Sequence, residues 1–159
     1  MEGFKIQDLL TEELVFLDVE ADSDEGLIRT LAAEAERLGY VKAGWADAVI
    51  RRERIYPTGL PTEVMKVAVP HAMERDQVNT PVIIVATLKR PVNFKEMGDG
   101  EQDVPVDVVF MLAVCGDKAQ LTILQSVVGM FSDAGAMTDV KNARSKEDLI
   151  SVLVRHLGA

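Results

Sequence analysis

Two histidines, His71 and His156, are the only imidazoles in the chain. His71 ends the β-branched run of KVAVPHAMERD (Lys66 to Asp76), directly after Pro70. Proline removes one backbone donor and cannot extend a ladder. The chain is therefore expected to turn out of a sheet at His71, with the ring at a sheet edge, half shielded and half reachable. A rigid strand behind a histidine is the support that catalytic groups require; the plainer alternative is a satisfied structural hydrogen-bonder. His156 has the plainer reading, because it falls in the last turn of a terminal helix, where partial positive charge suits the dipole.

The rest of the sequence narrows the chemistry open to His71. No Cys or His pair has metal-ligand spacing, no G-x-S-x-G elbow is present, and neither G-x-x-x-x-G-K-[ST] nor G-x-G-x-x-G occurs. An imidazole without serine, metal or nucleotide loop points to a histidine that itself carries a transferred group. Phosphoryl transfer between proteins fits. A neutral ring nitrogen has a lone pair at pH 7, and the acceptor needs only positioning and donors for the phosphoryl oxygens. Arg52 could supply donors, or be a solvated residue of a charged helix end.

These residues need elements to hold them. ELVFLDVEA reads as a strand. Asp22 or Ser23 can cap a helix with Leu27, Leu31, Ala35 and Leu38 on one face, ended by Gly39. A second helix is expected from about Lys42 to Arg54, with Val41, Trp45 and Val49 along its apolar stripe. Pro57-Thr58-Gly59-Leu60-Pro61 has turn chemistry, with Gly59 supplying a positive φ. Val64 to Val69, Val82 to Leu88 and Val106 to Val114 read as buried strands. The GDG stretch between the last two suits a loop or hairpin. Asp117 and Gln120 have capping-box spacing before Leu121, Leu124, Val128 and Phe131. A final helix follows Ser145. The expectation is one α/β domain over residues 1–159, a mixed sheet flanked by helices.

Composition sets outer limits. A charge of −9 from 17 basic and 26 acidic residues repels nucleic-acid backbones and anionic lipids. The longest apolar stretch, Val106 to Cys115, contains Asp107 and is about half a membrane span, so no insertion into a bilayer is expected. MEGFKIQDLL lacks the features of a secretory signal, and one cysteine gives no disulfide framework. A cytoplasmic location is the expectation, and Cys115 is expected to be inert packing.

RERIYPTGL (Arg52 to Leu60), VAVPHA (Val67 to Ala72) and DVVFMLAV (Asp107 to Val114), in that order, resemble the fructose/mannitol-type enzyme IIA domains of the bacterial phosphoenolpyruvate-dependent sugar phosphotransferase system. The resemblance runs from Ile6 to Leu157. The Y-P-T-G-L stretch and the EMG before the third strand are most similar to the galactitol-type branch. It implies the mannitol-type IIA fold and a phosphotransferase without cofactor or metal. It also implies that His71 accepts phosphate from the phosphocarrier HPr and passes it to a cysteine of enzyme IIB, with membrane enzyme IIC downstream, for uptake of a sugar or polyol. Arg52 matches the arginine of the R-E-x-x-x-x-T motif as a phosphoryl-stabilising group, and Thr58 closes that motif as a phosphoryl-binding loop residue. Gln120 stands where mannitol-type members carry a second histidine. It is either an amide donor to the phosphoryl group or a helix cap. Two other readings share the sequence: a nitrogen-type regulatory IIA protein whose phosphorylation state controls protein partners, and a small-ligand module that has lost phosphorylation.

Overall fold

The computed structural model describes residues 5–74, 76–114 and 117–157. Two short 3-10 turns, Ile6–Leu9 and Glu12–Leu14, lead into strand β1 (Val15–Val19). Helices α1 (Asp24–Arg37) and α2 (Trp45–Ile55) follow, then strands β2 (Val67–Ala68), β3 (Val82–Lys95) and β4 (Asp103–Ala113). Helices α3 (Asp117–Phe131), α4 (Ala134–Asn142) and α5 (Lys146–Leu157) complete the chain.

The four strands form one mixed sheet in the order β1-β3-β4-β2. β3 and β4 are antiparallel and central; β1 runs parallel to β3, and β2 parallel to β4. The two-residue side-chain period of a strand divides the apolar runs between two faces. Ile83, Val85, Val108, Phe110 and Leu112 meet Ile123, Val127, Phe131, Met137, Val140 and Leu153 of α3, α4 and α5. Ile84, Ala86, Val109, Met111 and Ala113 meet Leu27, Ile28, Leu31, Trp45 and Val49 of α1 and α2. The result is a three-layer α/β/α arrangement, the mixed sheet flanked by helices that the sequence predicts.

Several local expectations hold in detail. Ser23 caps α1 by accepting the Gly26 N–H at 3.0 Å, and Gly39 follows the helix at φ +88°. The GDG stretch joins β3 to β4 as a hairpin connection, with Gly98 at φ +95°.

Others need correction. The chain does not leave the sheet at Pro70: the Pro70 carbonyl accepts the Leu112 N–H at 3.0 Å, and His71 still bridges Leu112. A proline lacks a donor but keeps its acceptor, and that suffices at an edge. β2 is shorter than Val64 to Val69, covering only Val67–Ala68, and Leu60 takes up both main-chain groups of Val67 that face away from β4. β3 runs past Leu88 to Lys95: an irregularity between Thr87 and Val92 absorbs the exposed Lys89-Arg90-Pro91, and pairing resumes at Val92 opposite Val106. α2 starts at Trp45, after Gly44. α4, capped by Asp133, was not anticipated. Gly59 has no positive φ; a Cβ there would lie 2.6 Å from the Lys95 carbonyl oxygen, so the glycine serves close approach of two backbones. Cys115 and the Asp117 side chain lie outside the described residues.

Candidate active site

β2 and β4 are parallel, so their carboxyl ends coincide, and ligand crevices in α/β sheets lie outside such ends. His71 follows β2 there. Gln120 stands in the first turn of α3, which follows β4, and α2 brings Arg52 to the same place from the opposite layer. Arg52, His71 and Gln120 thus share one pocket of about 490 Å³, completed by Tyr56, Met73, Leu121 and Leu124. The fold gathers three of the four residues singled out in the sequence.

His71 is only 4% exposed, so the half-reachable ring expected from the sequence is instead almost covered. Its Nδ1 lies 2.7 Å from the Val69 carbonyl oxygen. A carbonyl only accepts, so Nδ1 carries the ring proton and Nε2 keeps the lone pair. Burial pushes the imidazole pKa down to about 4; the Val69 bond opposes this and the Arg52 charge adds to it. Such a ring is neutral at physiological pH, and its Nε2 lone pair is chemically able to act as a nucleophile without further activation.

The half-buried Arg52 donates from Nη1 to the Tyr56 carbonyl at 2.8 Å, and its guanidinium carbon lies 5.4 Å from the centre of the Tyr56 ring. The bond and the ring contact hold the side chain across the mouth of the pocket and leave the other N–H groups of the fork for an anion. Burial lowers its pKa against the opposing effect of Glu53, and a guanidinium stays charged regardless. Gln120 donates from its amide nitrogen to the Ala72 carbonyl at 3.3 Å. That bond ties α3 to the segment after His71; the capping alternative for Gln120 involves residues outside those described.

Thr58 is placed differently from expectation. It is 1% exposed and does not line the pocket. Its hydroxyl donates to Glu53 Oε1 at 2.9 Å and accepts the Val69 N–H at 3.1 Å, while its own N–H donates to Glu53 Oε2 at 2.8 Å. Both functions of the hydroxyl are committed behind the site, so direct phosphoryl contact is replaced by a supporting position. Sequence reasoning passed over Glu53, a 7% exposed carboxyl pushed up to about 7 by burial. The signal was present, since Glu53 continues the buried Trp45 and Val49 stripe of α2 at four-residue spacing. The apolar rim was also missed: Tyr56, Met73 and Leu121 are each more than half exposed.

His156 lies in the last turn of α5 and pairs with Asp139 of α4 at 3.2 Å, remote from this pocket. No helix among the described residues is long and apolar enough to cross a membrane.

Comparison with known proteins identifies the family and the fold. The family model described as "Phosphoenolpyruvate-dependent sugar phosphotransferase system, EIIA 2" matches residues 8–156. The chain is 33% identical over 119 residues to the transcriptional regulator ManR of Bacillus subtilis, which covers 75% of this chain and 17% of that protein. It is 32% identical over 91 residues to the galactitol-specific EIIA component of Escherichia coli K12, covering 57% of this chain and 59% of the relative. It therefore spans under two thirds of either relative. Among solved structures, the complex of mannitol enzyme IIA with phosphorylated enzyme IIB from Escherichia coli shares the fold, with a TM-score of 0.73 at 20% identity over 92% of this chain and 97% of that one. A match of the family model over residues 8–156, nearly the whole chain, places the chain in the EIIA type 2 family of the phosphoenolpyruvate-dependent sugar phosphotransferase system.

Proposed function

We propose that the protein is a phosphocarrier in which His71 takes a phosphoryl group from phospho-HPr and passes it to a cysteine of enzyme IIB, for uptake of a galactitol-like sugar or polyol. The observation that carries the reading is a neutral imidazole, held by Val69 with its Nε2 lone pair unprotonated, in a pocket shared with Arg52 and Gln120.

The Nε2 lone pair attacks phosphorus in line, and the donor's P–N bond breaks with its electron pair returning to the donor ring. No proton needs to move in this step, because the His71 ring keeps its Nδ1 hydrogen and the Val69 carbonyl meets the positive charge that builds on the ring. Arg52 faces the phosphoryl oxygens with charge-assisted bonds. The first turn of α3 adds the partial positive charge of a helix N-terminus. Tyr56, Met73 and Leu121 form an exposed apolar rim suited to two protein partners in turn.

The test is incubation with phosphoenolpyruvate, enzyme I and HPr. The expected result is an acid-labile phosphoprotein, lost in His71→Ala and formed at least tenfold more slowly in Arg52→Gln. Chelating metal after HPr has been phosphorylated should leave the transfer unchanged. Labelling that persists in His71→Ala would refute the assignment.

The match to ManR favours a second reading, since a segment similar to 75% of this chain occurs there within a transcriptional regulator. On that reading phosphorylation is read out by protein partners, as in nitrogen-type IIA proteins. Transfer of the label to a galactitol-type IIB decides for transport; a label that no IIB accepts decides for regulation.

A further inference from the structure

Glu53 and Thr58 do not touch the pocket that holds His71, yet both are buried polar residues in a connected chain that ends on its ring. We infer that Glu53 and Thr58 are positioning residues that fix His71 in its Nδ1–H tautomer through the backbone of Val69. The inference deepens the phosphocarrier reading, on which the kinetic part of its test rests.

The chain of bonds has a direction. The Thr58 hydroxyl has one proton, and Glu53 Oε1 takes it at 2.9 Å. Its lone pairs are then left to receive the Val69 N–H at 3.1 Å. β2 ends at Ala68, so the Val69 N–H belongs to no strand ladder; without Thr58 it would be a buried, orphaned donor. The carbonyl of the same residue accepts His71 Nδ1–H at 2.7 Å. Both polar groups of Val69 are thereby fixed, and the second of them sets the imidazole tautomer. Glu53 also holds the Thr58 N–H at 2.8 Å, which prevents the Thr58 backbone from turning away. The Gly59 N–H donates to the Lys95 carbonyl at 3.0 Å, anchoring the other side of the same segment.

The geometry separates this role from simple packing. A carboxylate accepts at both oxygens, whereas an amide of the same size accepts at one, so Glu53→Gln preserves volume and removes the direction of the chain. Burial holds the Glu53 carboxyl near a pKa of about 7, raised further by Asp24 and opposed by its bonds to Thr58 and by Arg52. Glu25, Arg54 and Lys95 face it across a cleft of about 300 Å³ on the side away from His71.

The test uses the full, unphosphorylated chain at pH 8, where the Glu53 carboxyl is ionised, and reads the ring nitrogens of His71 by 15N NMR. Wild type is expected to show one protonated and one unprotonated nitrogen. Thr58→Val and Glu53→Gln should shift both signals toward an averaged tautomer, and Thr58→Ser should restore the wild-type pattern. Phosphoryl acceptance from HPr should fall by about 10- to 100-fold in Thr58→Val, the scale of a misplaced reacting group, and recover in Thr58→Ser. If Thr58→Val does not fold, Glu53→Gln carries the test. A folded Glu53→Gln or Thr58→Val with the wild-type nitrogen pattern would overturn the inference. A wild-type chain with the expected nitrogen pattern that takes no phosphate would instead overturn the phosphocarrier reading alone.

Discussion

At the scale of single residues, burial keeps the His71 ring neutral, which on the proposed reading removes the need for an activating base. A pKa of about 4 means that the ring is neutral across physiological pH. Titration of its ring nitrogens by NMR should show no protonation of the ring from pH 8 to about 5 and a protonation midpoint near 4; a midpoint near the usual 6.5 would contradict the burial argument. The same shift acts on folding. Because the folded pKa lies below the unfolded one, the unfolded chain binds the extra proton, so this stabilisation is complete above about pH 6.5 and is lost as pH falls toward 4. A depression of that size corresponds to about 3 kcal/mol. Glu53 acts with the opposite sign: its folded pKa is raised to about 7, so its contribution is full below about 4.5 and is lost as pH rises through 7. Urea unfolding should therefore find Glu53→Gln more destabilised relative to wild type at pH 5 than at pH 8. A penalty that grew with pH would show that the carboxyl is not held in this way. Gln120 supplies an amide tied to Ala72 where mannitol-type relatives are expected to carry a second imidazole. The site then has one titrating ring, which makes the single-midpoint prediction a sharp one.

At the scale of elements, what was legible in the sequence was whatever depends on local patterning. The apolar periods of α1, α3 and α5, the buried runs of β3 and β4, and the Ser23 cap all follow from neighbouring residues alone. What was not legible depends on partners distant in sequence. Pro70 resembles a strand stop until its carbonyl is seen bonded to Leu112. Lys89-Arg90-Pro91 resembles a loop until the irregularity that tolerates it is seen between Thr87 and Val92, although the alternation of Val92 and Phe94 carried a strand signal. α4 has nine residues, one of them Gly135, and owes its place to Met137 and Val140 in the core. Thr58 could be marked as important from its motif, but not that its hydroxyl faces Glu53 and Val69. Gly59 is the clearest case, because turn chemistry and close approach both select glycine and only coordinates separate them. The consequence is testable: Gly59→Ala places a Cβ against the Lys95 carbonyl and should cost about 1–3 kcal/mol of stability in denaturant unfolding. A neutral result would mean that the Pro57 to Pro61 segment is free to move away from β3.

At the scale of the whole molecule, the sheet order explains why a two-residue strand matters. Because β2 lies beside β4 with the same direction, the residue after it and the helix after β4 meet, and α2 closes the site from the other layer. On the proposed phosphocarrier reading, the apolar rim of Tyr56, Met73 and Leu121 is the surface for partners that bring a reactive phosphorus to a nearly covered ring. Leu121→Glu, at an exposed position of α3, should raise the concentration of HPr needed for half-maximal transfer while leaving thermal unfolding within about 1 kcal/mol of wild type. Unchanged transfer kinetics would place the docking surface elsewhere. The claim on which the rest depends is that phosphorus bonds to one specific nitrogen of one histidine. Heteronuclear 31P–15N NMR of the phosphorylated chain measures this directly. The bond is expected at Nε2 of His71 with Nδ1 still protonated; phosphorus at Nδ1, at His156 or at any other side chain would contradict the account.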